Sequence, residues 1–221
     1  MTDHDRDRDY WVPAECEGSV HCPPRCPRFV DREGASWVVR PVRQADTEAL
    51  VEVYDDFAPG ERAQGVPPRK RSRIESWVDD LVTDGCNFVV VDGDSIVGHA
   101  LYTPTDDDEP EFAVFVHQDY QNRGIGTEVS KHVLVTAAVA DRTALTLLVE
   151  PSNHAAVRLY EKLGFEEVER YGGDGLNRGS TTLRMRRPLS TASVLEYRHP
   201  PRLDGESSTD PAVESPRRPV E

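Results

Sequence analysis

The chain has 221 residues, with 40 acidic and 26 basic side chains and a formal net charge of -14. This length fits one domain with terminal extensions. The acidic balance argues against a free-standing nucleic-acid binder, because such proteins neutralise phosphates with a basic face. No stretch approaches the roughly 18 uninterrupted apolar residues of a membrane span, and the charged N-terminus lacks the pattern of a secretory signal. We therefore expect a cytoplasmic protein that binds neither nucleic acid nor membranes.

The basic residues divide unevenly between the two types. Lys70, Lys131 and Lys162 are the lysines, and every other basic residue is an arginine. An acidic, lysine-poor surface suits a high-salt cytoplasm, where screening relieves self-repulsion. The composition thus predicts a halophilic archaeal source, with an acidic mesophilic protein from a GC-rich genome as the alternative.

Three of the four cysteines lie near the N-terminus. Cys16, Cys22 and Cys26 accompany His21, whereas Cys86 stands alone. The gaps do not repeat a CxxC pair, and no second ligand pair follows at finger spacing. We therefore favour free thiols over a structural zinc and expect no metal, and a cytoplasmic location disfavours disulfides.

Composition divides the chain into an arm, a core and a tail. Residues 1–34 are rich in charge, proline and cysteine without lasting periodicity, which predicts a flexible arm. Residues 190–221 combine prolines with Ser, Asp and Glu and predict a disordered acidic tail. Residues 35–189 form the predicted folded domain.

Within residues 35–189, segments whose apolar residues have the spacing of a strand alternate with segments that have the spacing of a helix. Residues 36–42 predict the first strand, and Asp46 can cap the first helix, which ends near residue 56. Pro67-Pro68 opens a second helix, which Gly85 ends. A hairpin follows, with Asp92-Gly93-Asp94 as its turn.

The later elements continue the alternation. From the hairpin onward, strands are predicted at 87–91, 95–102, 111–116, 144–150, 165–171 and 180–187. The later helices are predicted at 124–140 and 153–163. Alternating strands and helices favour an α/β (α+β) domain.

The most informative segment is VHQDYQNRGIG, residues 116–126. A buried strand runs into a loop that opens a helix. Backbone N–H groups at a helix start are unpaired and carry partial positive charge, so they can hold phosphate. Gly124 and Gly126 let the backbone approach a ligand closely. The dinucleotide fingerprint is not met, because Val129 occupies its third glycine position.

A second segment, EPSNHAAVRLYEKLGF, covers residues 150–165. Asn153 can cap its helix, and Tyr160 follows nearly two turns later on the same face. Taken alone, the segment also fits an ordinary amphipathic helix with Tyr160 as a half-buried core aromatic.

Together the two segments resemble the GNAT superfamily of acyl-CoA-dependent N-acetyltransferases. The matching motifs are Gln121-x-x-Gly124-x-Gly126 and Asn153-x-x-Ala156-x-x-x-Tyr160, followed by Leu163-Gly164-Phe165. The resemblance covers the core and neither terminal segment. It implies a mixed, mostly antiparallel sheet flanked by helices, in which the fourth and fifth strands, 111–116 and 144–150, splay apart.

The resemblance also implies acetyl-CoA as co-substrate. Its pantetheine arm would enter between the splayed strands and pair with the fourth strand, and its pyrophosphate would meet the backbone N–H groups that open the following helix. The implied contacts are Phe115, Val116, His117, Arg123, Gly124, Ile125, Gly126, Thr127, Glu128, Val129 and Asn153.

The implied reaction is direct attack of a primary amine on the thioester. Tyr160 would donate a proton to the leaving thiolate. Glu111, at the head of the fourth strand, is the predicted base, with Glu109 or a water chain as alternatives. We interpret His117 as structural, and Cys86 is not needed as a nucleophile.

The acceptor stays open at this point. A small-molecule amine, a protein lysine and a protein N-terminus all fit, in a monomer or a homodimer. The alternative is a catalytically inactive acyl-CoA-binding or protein-interaction module.

Overall fold

The computed structural model describes residues 22–58, 67–93, 95–172 and 181–190, together with Ala192 and Tyr197. Within these ranges lie eight strands and four α-helices. The strands are β1 (Arg28–Val30), β2 (Ser36–Pro41), β3 (Cys86–Asp92), β4 (Ser95–Thr103), β5 (Glu111–Val116), β6 (Ala144–Val149), β7 (Glu166–Tyr171) and β8 (Thr182–Pro188). The helices are α1 (Thr47–Asp55), α2 (Arg71–Asp84), α3 (Ile125–Val139) and α4 (His154–Lys162).

The strands form one sheet in the order β1-β2-β3-β4-β5-β6-β8-β7. Neighbouring strands pair antiparallel except β5 and β6, which are parallel. This confirms the predicted mixed, mostly antiparallel sheet flanked by helices. β5 and β6 share a single register pair, Glu111 with Thr146, and separate beyond it. The splayed strand pair is therefore present.

Each face of the sheet carries its own hydrophobic core. α3 and α4 cover one face, where Phe112 packs with Tyr160 and Phe165. α1 and α2 cover the other face, where Phe115 packs against Tyr54. Successive residues of a strand point to opposite faces, so β5 serves both cores and lies at the centre of the domain.

The folded domain begins before the predicted boundary at residue 35. β1 pairs with β2, and Phe29 in β1 is only 1% exposed. A strand of three residues is too short to show an alternating pattern, so the surrounding charge, proline and cysteine suggested an arm instead. Residues 28–34 are thus part of the sheet and its turn.

Residues from both predicted extensions meet over α3 and β8. Arg25 donates to the Tyr197 carbonyl (2.7 Å), and Arg187 donates to the Tyr197 hydroxyl (2.9 Å). Cys22 is exposed, whereas Cys26 and Cys86 are partly buried. Cys16, His21 and residues 198–221 lie outside the described residues.

The helix predicted to open at Pro67-Pro68 begins at Arg71, because Lys70 is still extended (φ -99°, ψ 128°) and forms the N-cap. No helix in the described ranges is long and apolar enough to cross a membrane.

Buried histidines make the stability of this fold depend on pH. Burial lowers the pKa of His99 and of His132 from 6.5 to about 3. Neutral His99 is held between the Tyr54 hydroxyl at Nδ1 and the Asn87 amide oxygen at Nε2. Asn87 donates its own amide N–H groups to backbone carbonyls, so its oxygen accepts and His99 Nε2 donates.

We expect the free energy of unfolding to fall as the pH decreases from about 6.5 towards 3. The unfolded chain protonates both histidines near pH 6.5, whereas the folded chain keeps them neutral, so the unfolded state binds more protons in this window. The slope approaches about 1.4 kcal/mol per pH unit for each histidine. Denaturant midpoints measured at about pH 7 and about pH 5 give this slope. Most carboxylates titrate below this pH range, so they contribute little to the difference.

His99→Gln provides the control, because glutamine can still accept from Tyr54 and donate to Asn87. This variant should lose about half of the acid-dependent slope. An unchanged slope would show that His99 does not contribute to it.

Candidate active site

A cavity of about 370 Å³ opens where β5 and β6 separate. Its walls come from β5, from the loop that precedes α3, from the first turn of α3 and from α4. Val114 and Val116 reach it from one face of the sheet and Phe115 from the other, so the cavity connects both faces. The predicted residues that line it are Phe115, Val116, Gly124, Ile125, Gly126, Thr127, Asn153 and Tyr160.

The loop before α3 presents donors to this cavity. Asn122 (φ 62°) and Gly124 (φ 95°) adopt left-handed conformations, and α3 begins at the next residue. The Glu128 N–H donates to the Gly124 carbonyl (3.1 Å), which starts the helical ladder. The N–H groups of residues 125–127 precede that bond and have no acceptor within the helix, so they can hold an anionic group.

The structure places two of the predicted contacts, Glu128 and Val129, away from the cavity. Glu128 uses its N–H inside the helix, and its carboxylate pairs with Arg25 and Lys131. Val129 is fully buried in the core. Neither residue lines the cavity, because helical hydrogen bonding and packing take over one turn after the helix start.

Arg123 directs its side chain away from the cavity. Its guanidinium contacts Asp31 (2.6 Å) and stacks over the ring of Trp37 (5.1 Å). The predicted role for Arg123 was a backbone contact, and the side chain instead anchors the loop to the β1–β2 turn.

The β5 backbone determines which peptide groups face the opening. His117 donates its N–H to the Val97 carbonyl on the β4 side (3.0 Å). Peptide groups alternate in direction along a strand, so those of Val114 and Val116 point towards the cavity. Gln121 donates its side-chain amide to the Val116 carbonyl (3.2 Å). His117 therefore has no backbone N–H left for a ligand, and the same alternation turns the Phe115 peptide towards β4.

His117 instead makes a structural contact with the segment that follows α1. Its Nε2 lies 3.0 Å from an Asp56 carboxylate oxygen. The neighbouring Gln118 donates to the Asp56 carbonyl (3.0 Å) and accepts from the Ala58 N–H (3.4 Å). These bonds bracket Phe57, whose ring lines the cavity. The pattern agrees with a structural role for His117.

α4 places Asn153 and Tyr160 along one wall. The Asn153 side chain accepts from the Ala156 N–H (3.1 Å) and caps the helix. Tyr160 is 8% exposed and packs edge-on against Phe112 and Phe165. Burial raises the pKa of Tyr160 to about 12, so its phenol stays protonated at neutral pH. Within the described ranges its hydroxyl makes no hydrogen bond, which leaves its proton available to a ligand.

The two candidate bases differ in their surroundings. Glu109 forms a two-point ion pair with Arg186 (2.7 and 2.9 Å), and that hydrogen bonding lowers the pKa of Glu109. Glu111 is exposed and lies where β5 and β6 still pair. By strand alternation it shares the α1–α2 face with Phe115. Glu111 does not line the cavity itself but stands at the closed end of the cleft.

Cys86 lies on β3, and it does not line the cavity. Burial raises the pKa of its thiol. Such a thiol is a weak nucleophile at neutral pH, because the thiolate is the reactive form.

Sequence reasoning missed several residues of the cavity wall. Three are basic: Arg32 from the β1–β2 turn, and Arg158 and Lys162 from α4. Arg158 and Lys162 are four residues apart on one helix face, a spacing that could have indicated a shared role. Arg32 carried no such signal, because its segment was interpreted as an arm. Phe57 and Tyr120 complete the aromatic part of the wall.

Comparison with known proteins identifies the family. The acetyltransferase (GNAT) family matches residues 47–165, more than half of the chain. The chain belongs to the GNAT acetyltransferase family. The matched region contains both predicted motifs and every α-helix described above.

Two curated relatives each share 32% identity with this GNAT protein. The [ribosomal protein bS18]-alanine N-acetyltransferase of Escherichia coli K12 aligns over 82 residues, 37% of this chain and 55% of the relative. The chain thus spans only about half the length of that enzyme. The peptidyl-lysine N-acetyltransferase YjaB of Salmonella typhimurium aligns over 109 residues, 49% of this chain and 69% of the relative.

Solved structures share the GNAT fold. The GNAT domain of S. lividans PAT superposes with a TM-score of 0.62 at 19% identity, over 78% of this chain and all of that domain. The yncA structure from Salmonella typhimurium, which contains acetyl-CoA, has a TM-score of 0.58 at 18% identity and covers 70% and 95% of the two chains.

The residues that line the cavity of this GNAT protein fit acetyl-CoA by their own chemistry. The N–H groups of residues 125–127 suit a diphosphate, and the backbone N–H groups of Val114 and Val116, which point towards the cavity, suit an amide-containing arm. Arg32, Arg158 and Lys162 add positive charge beside them in a chain of net charge -14.

Proposed function

We propose that this protein transfers an acetyl group from acetyl-CoA to a primary amine of a polypeptide. The observation that carries the proposal is one cavity that holds both the open N–H groups of the α3 start and the protonated phenol of Tyr160. The first suits a diphosphate, and the second suits a leaving thiolate. Family membership supports the same chemistry.

The cofactor would be held by groups already in place. The N–H groups of residues 125–127 would bind the diphosphate, and the peptide groups of Val114 and Val116 would pair with the pantetheine amides. Acetyl-CoA supplies the acetyl group as a thioester. Asn153 lies at the same wall, where its capping bond fixes its orientation.

Proton transfers would be divided between the two faces of the sheet. Tyr160, on the α3–α4 face, would donate its proton to the sulfur as CoA leaves. Glu111, on the α1–α2 face, would take a proton from the incoming amine. An amine with a pKa near 10.4 is mostly protonated at pH 7, so removal of this proton is required before attack.

The open surface beside Glu111 favours a polypeptide acceptor. On the α1–α2 face, Leu148 of β6 is 45% exposed and Tyr171 of β7 is 42% exposed. α1 and α2 pack over β2 to β5 and leave this part of the face uncovered by the described residues. An exposed face with apolar side chains suits a polypeptide chain better than an enclosed small molecule, and both curated relatives are named for polypeptide acceptors.

An acceptor panel tests the proposal. Thiol release from acetyl-CoA is measured with peptides that have a free N-terminus, with N-blocked lysine peptides and with small amines such as spermidine. We expect release with at least one peptide class and little with small amines. Release with small amines alone would contradict the polypeptide acceptor. CoA binding without release to any amine would favour the inactive binding module.

Glu111→Gln should lower kcat/KM by about 100-fold or more at pH 7, because the base is lost. The deficit should shrink at about pH 9.5, where more of the amine is already neutral. Glu109→Gln is the matched control, since Glu109 is committed to Arg186 and should affect the rate only modestly. An equal loss in both variants would remove Glu111 as the base.

Other expectations accompany this function. We propose that the protein works in the cytoplasm as a monomer or homodimer. Its acidic, lysine-poor composition still predicts a halophilic source and stability that increases with salt.

A further inference from the structure

The turn between β1 and β2 is built around a buried carboxylate. The Asp31 side chain is 0% exposed. It accepts from the backbone N–H groups of Glu33 and Ala35 (2.9 Å each) and from the Trp37 indole (2.8 Å). These three bonds hold residues 31–35 in the conformation of the turn.

The same carboxylate joins this turn to the loop that opens α3. Arg123 donates to Asp31 through Nε (2.7 Å), and its guanidinium lies over the rings of Trp37 and Tyr120. In return, the Arg32 backbone N–H donates to the Arg123 carbonyl (3.1 Å). The turn is thus fastened to the residue directly before Gly124.

This attachment places the exposed Arg32 side chain at the cavity wall. Arg32 lines the wall together with Gly124 and Thr127, and its Nη1 lies 3.4 Å from the Asn122 carbonyl. Within the described part of the chain, no carboxylate pairs with Arg32. In a chain of net charge -14, an arginine kept clear of carboxylates beside open N–H groups is suited to an anionic ligand.

We propose that Arg32 binds a phosphate group of CoA and that the Asp31–Arg123 pair positions it. The assignment rests on the proposed cofactor site and adds to it an element from outside the matched region 47–165. An arginine can bind the diphosphate or the 3′-phosphate of CoA by the same charge-assisted hydrogen bonds.

Calorimetric titration with CoA tests the proposal without any acceptor. Arg32→Gln should weaken CoA binding by roughly five- to thirtyfold, at and below the lower end of the range for a lost charge-assisted hydrogen bond, because Arg32 is exposed to solvent. Arg28→Gln is the matched control, because Arg28 is exposed on the same hairpin and does not line the cavity. It should bind CoA within about twofold of wild type, where the difference is under 1 kcal/mol. Arg32→Lys should retain part of the affinity, since the charge remains.

Dephospho-CoA lacks the 3′-phosphate, so binding of this ligand shows which phosphate group Arg32 contacts. If the difference between wild type and Arg32→Gln persists with this ligand, Arg32 binds the diphosphate; if it disappears, Arg32 binds the 3′-phosphate. Equal CoA affinity of Arg32→Gln and Arg28→Gln, both with wild-type melting temperatures, would overturn the assignment. A wild-type chain that does not bind CoA would overturn the cofactor site itself, which is a distinct result.

Discussion

Tyr160→Phe should lower kcat by roughly 100- to 10,000-fold, the usual contribution of a general acid. The phenol lines the cavity, and burial raises its pKa to about 12, so it carries a proton at neutral pH. Phenylalanine keeps the ring contacts with Phe112 and Phe165, so acetyl-CoA affinity should change little. Steady-state rates and calorimetric binding measure the two effects separately.

Tyr102 offers a matched control for this experiment. It is also buried, its pKa is likewise raised to about 12, and it lies on β4 outside the cavity wall. Tyr102→Phe should therefore leave kcat nearly unchanged. If Tyr160 is only a core aromatic, Tyr160→Phe will also be near normal, and only Tyr160→Ala will cause damage, through a cavity that costs several kcal/mol. Slow product release could hide the effect, so single-turnover rates should accompany the steady-state rates.

Gly124→Asp should weaken CoA binding by well over tenfold, about 1.4 kcal/mol or more. A φ of 95° strains any side chain at this position, and a carboxylate here would repel the diphosphate. A Cβ at Gly124 meets no atom within 4 Å, so the substitution strains the backbone but causes no steric clash. Calorimetry with CoA gives the affinity, and a thermal melt confirms folding.

Gly124→Asn separates charge from conformation. Asparagine tolerates the left-handed region better than most residues and carries no charge, so its loss of affinity should be much smaller. Gly126→Asp tests the neighbouring position, where a Cβ would lie 3.4 Å from Val116 and 3.5 Å from Leu159. Wild-type CoA affinity in a folded Gly124→Asp protein would remove the loop from the cofactor site.

The sequence predicted the features that depend on local chemistry. Two glycines at a helix start indicate open N–H groups, because the first turn of any helix leaves them unpaired. The spacing of Asn153 and Tyr160 places them on one helix face, because that depends only on the helical repeat. Both motifs therefore reached the same cavity as predicted, and the splay of β5 and β6 followed from the family resemblance.

Other assignments depended on contacts between distant segments. No local pattern distinguishes Glu111 from Glu109, which differ because Arg186, 77 positions away from Glu109, pairs with one of them. The direction of the His117 N–H depends on its pairing with β4, which the sequence of β5 does not contain. Glu128 was predicted to contact the cofactor because it follows the loop directly. In the structure its carboxylate pairs with the distant Arg25.

The sequence by itself thus determined the helix-start loop, the Asn153–Tyr160 wall and the α/β character of the core, because hydrogen-bond geometry and side-chain spacing within a helix or strand are local properties. Only the tertiary structure decided where the domain begins, which of the two glutamates pairs with Arg186, and that Arg32 reaches the cavity wall. Arg32 is the clearest case. It lies 91 positions from Arg123 in the chain, and a buried Asp31 brings their backbones into hydrogen-bond contact.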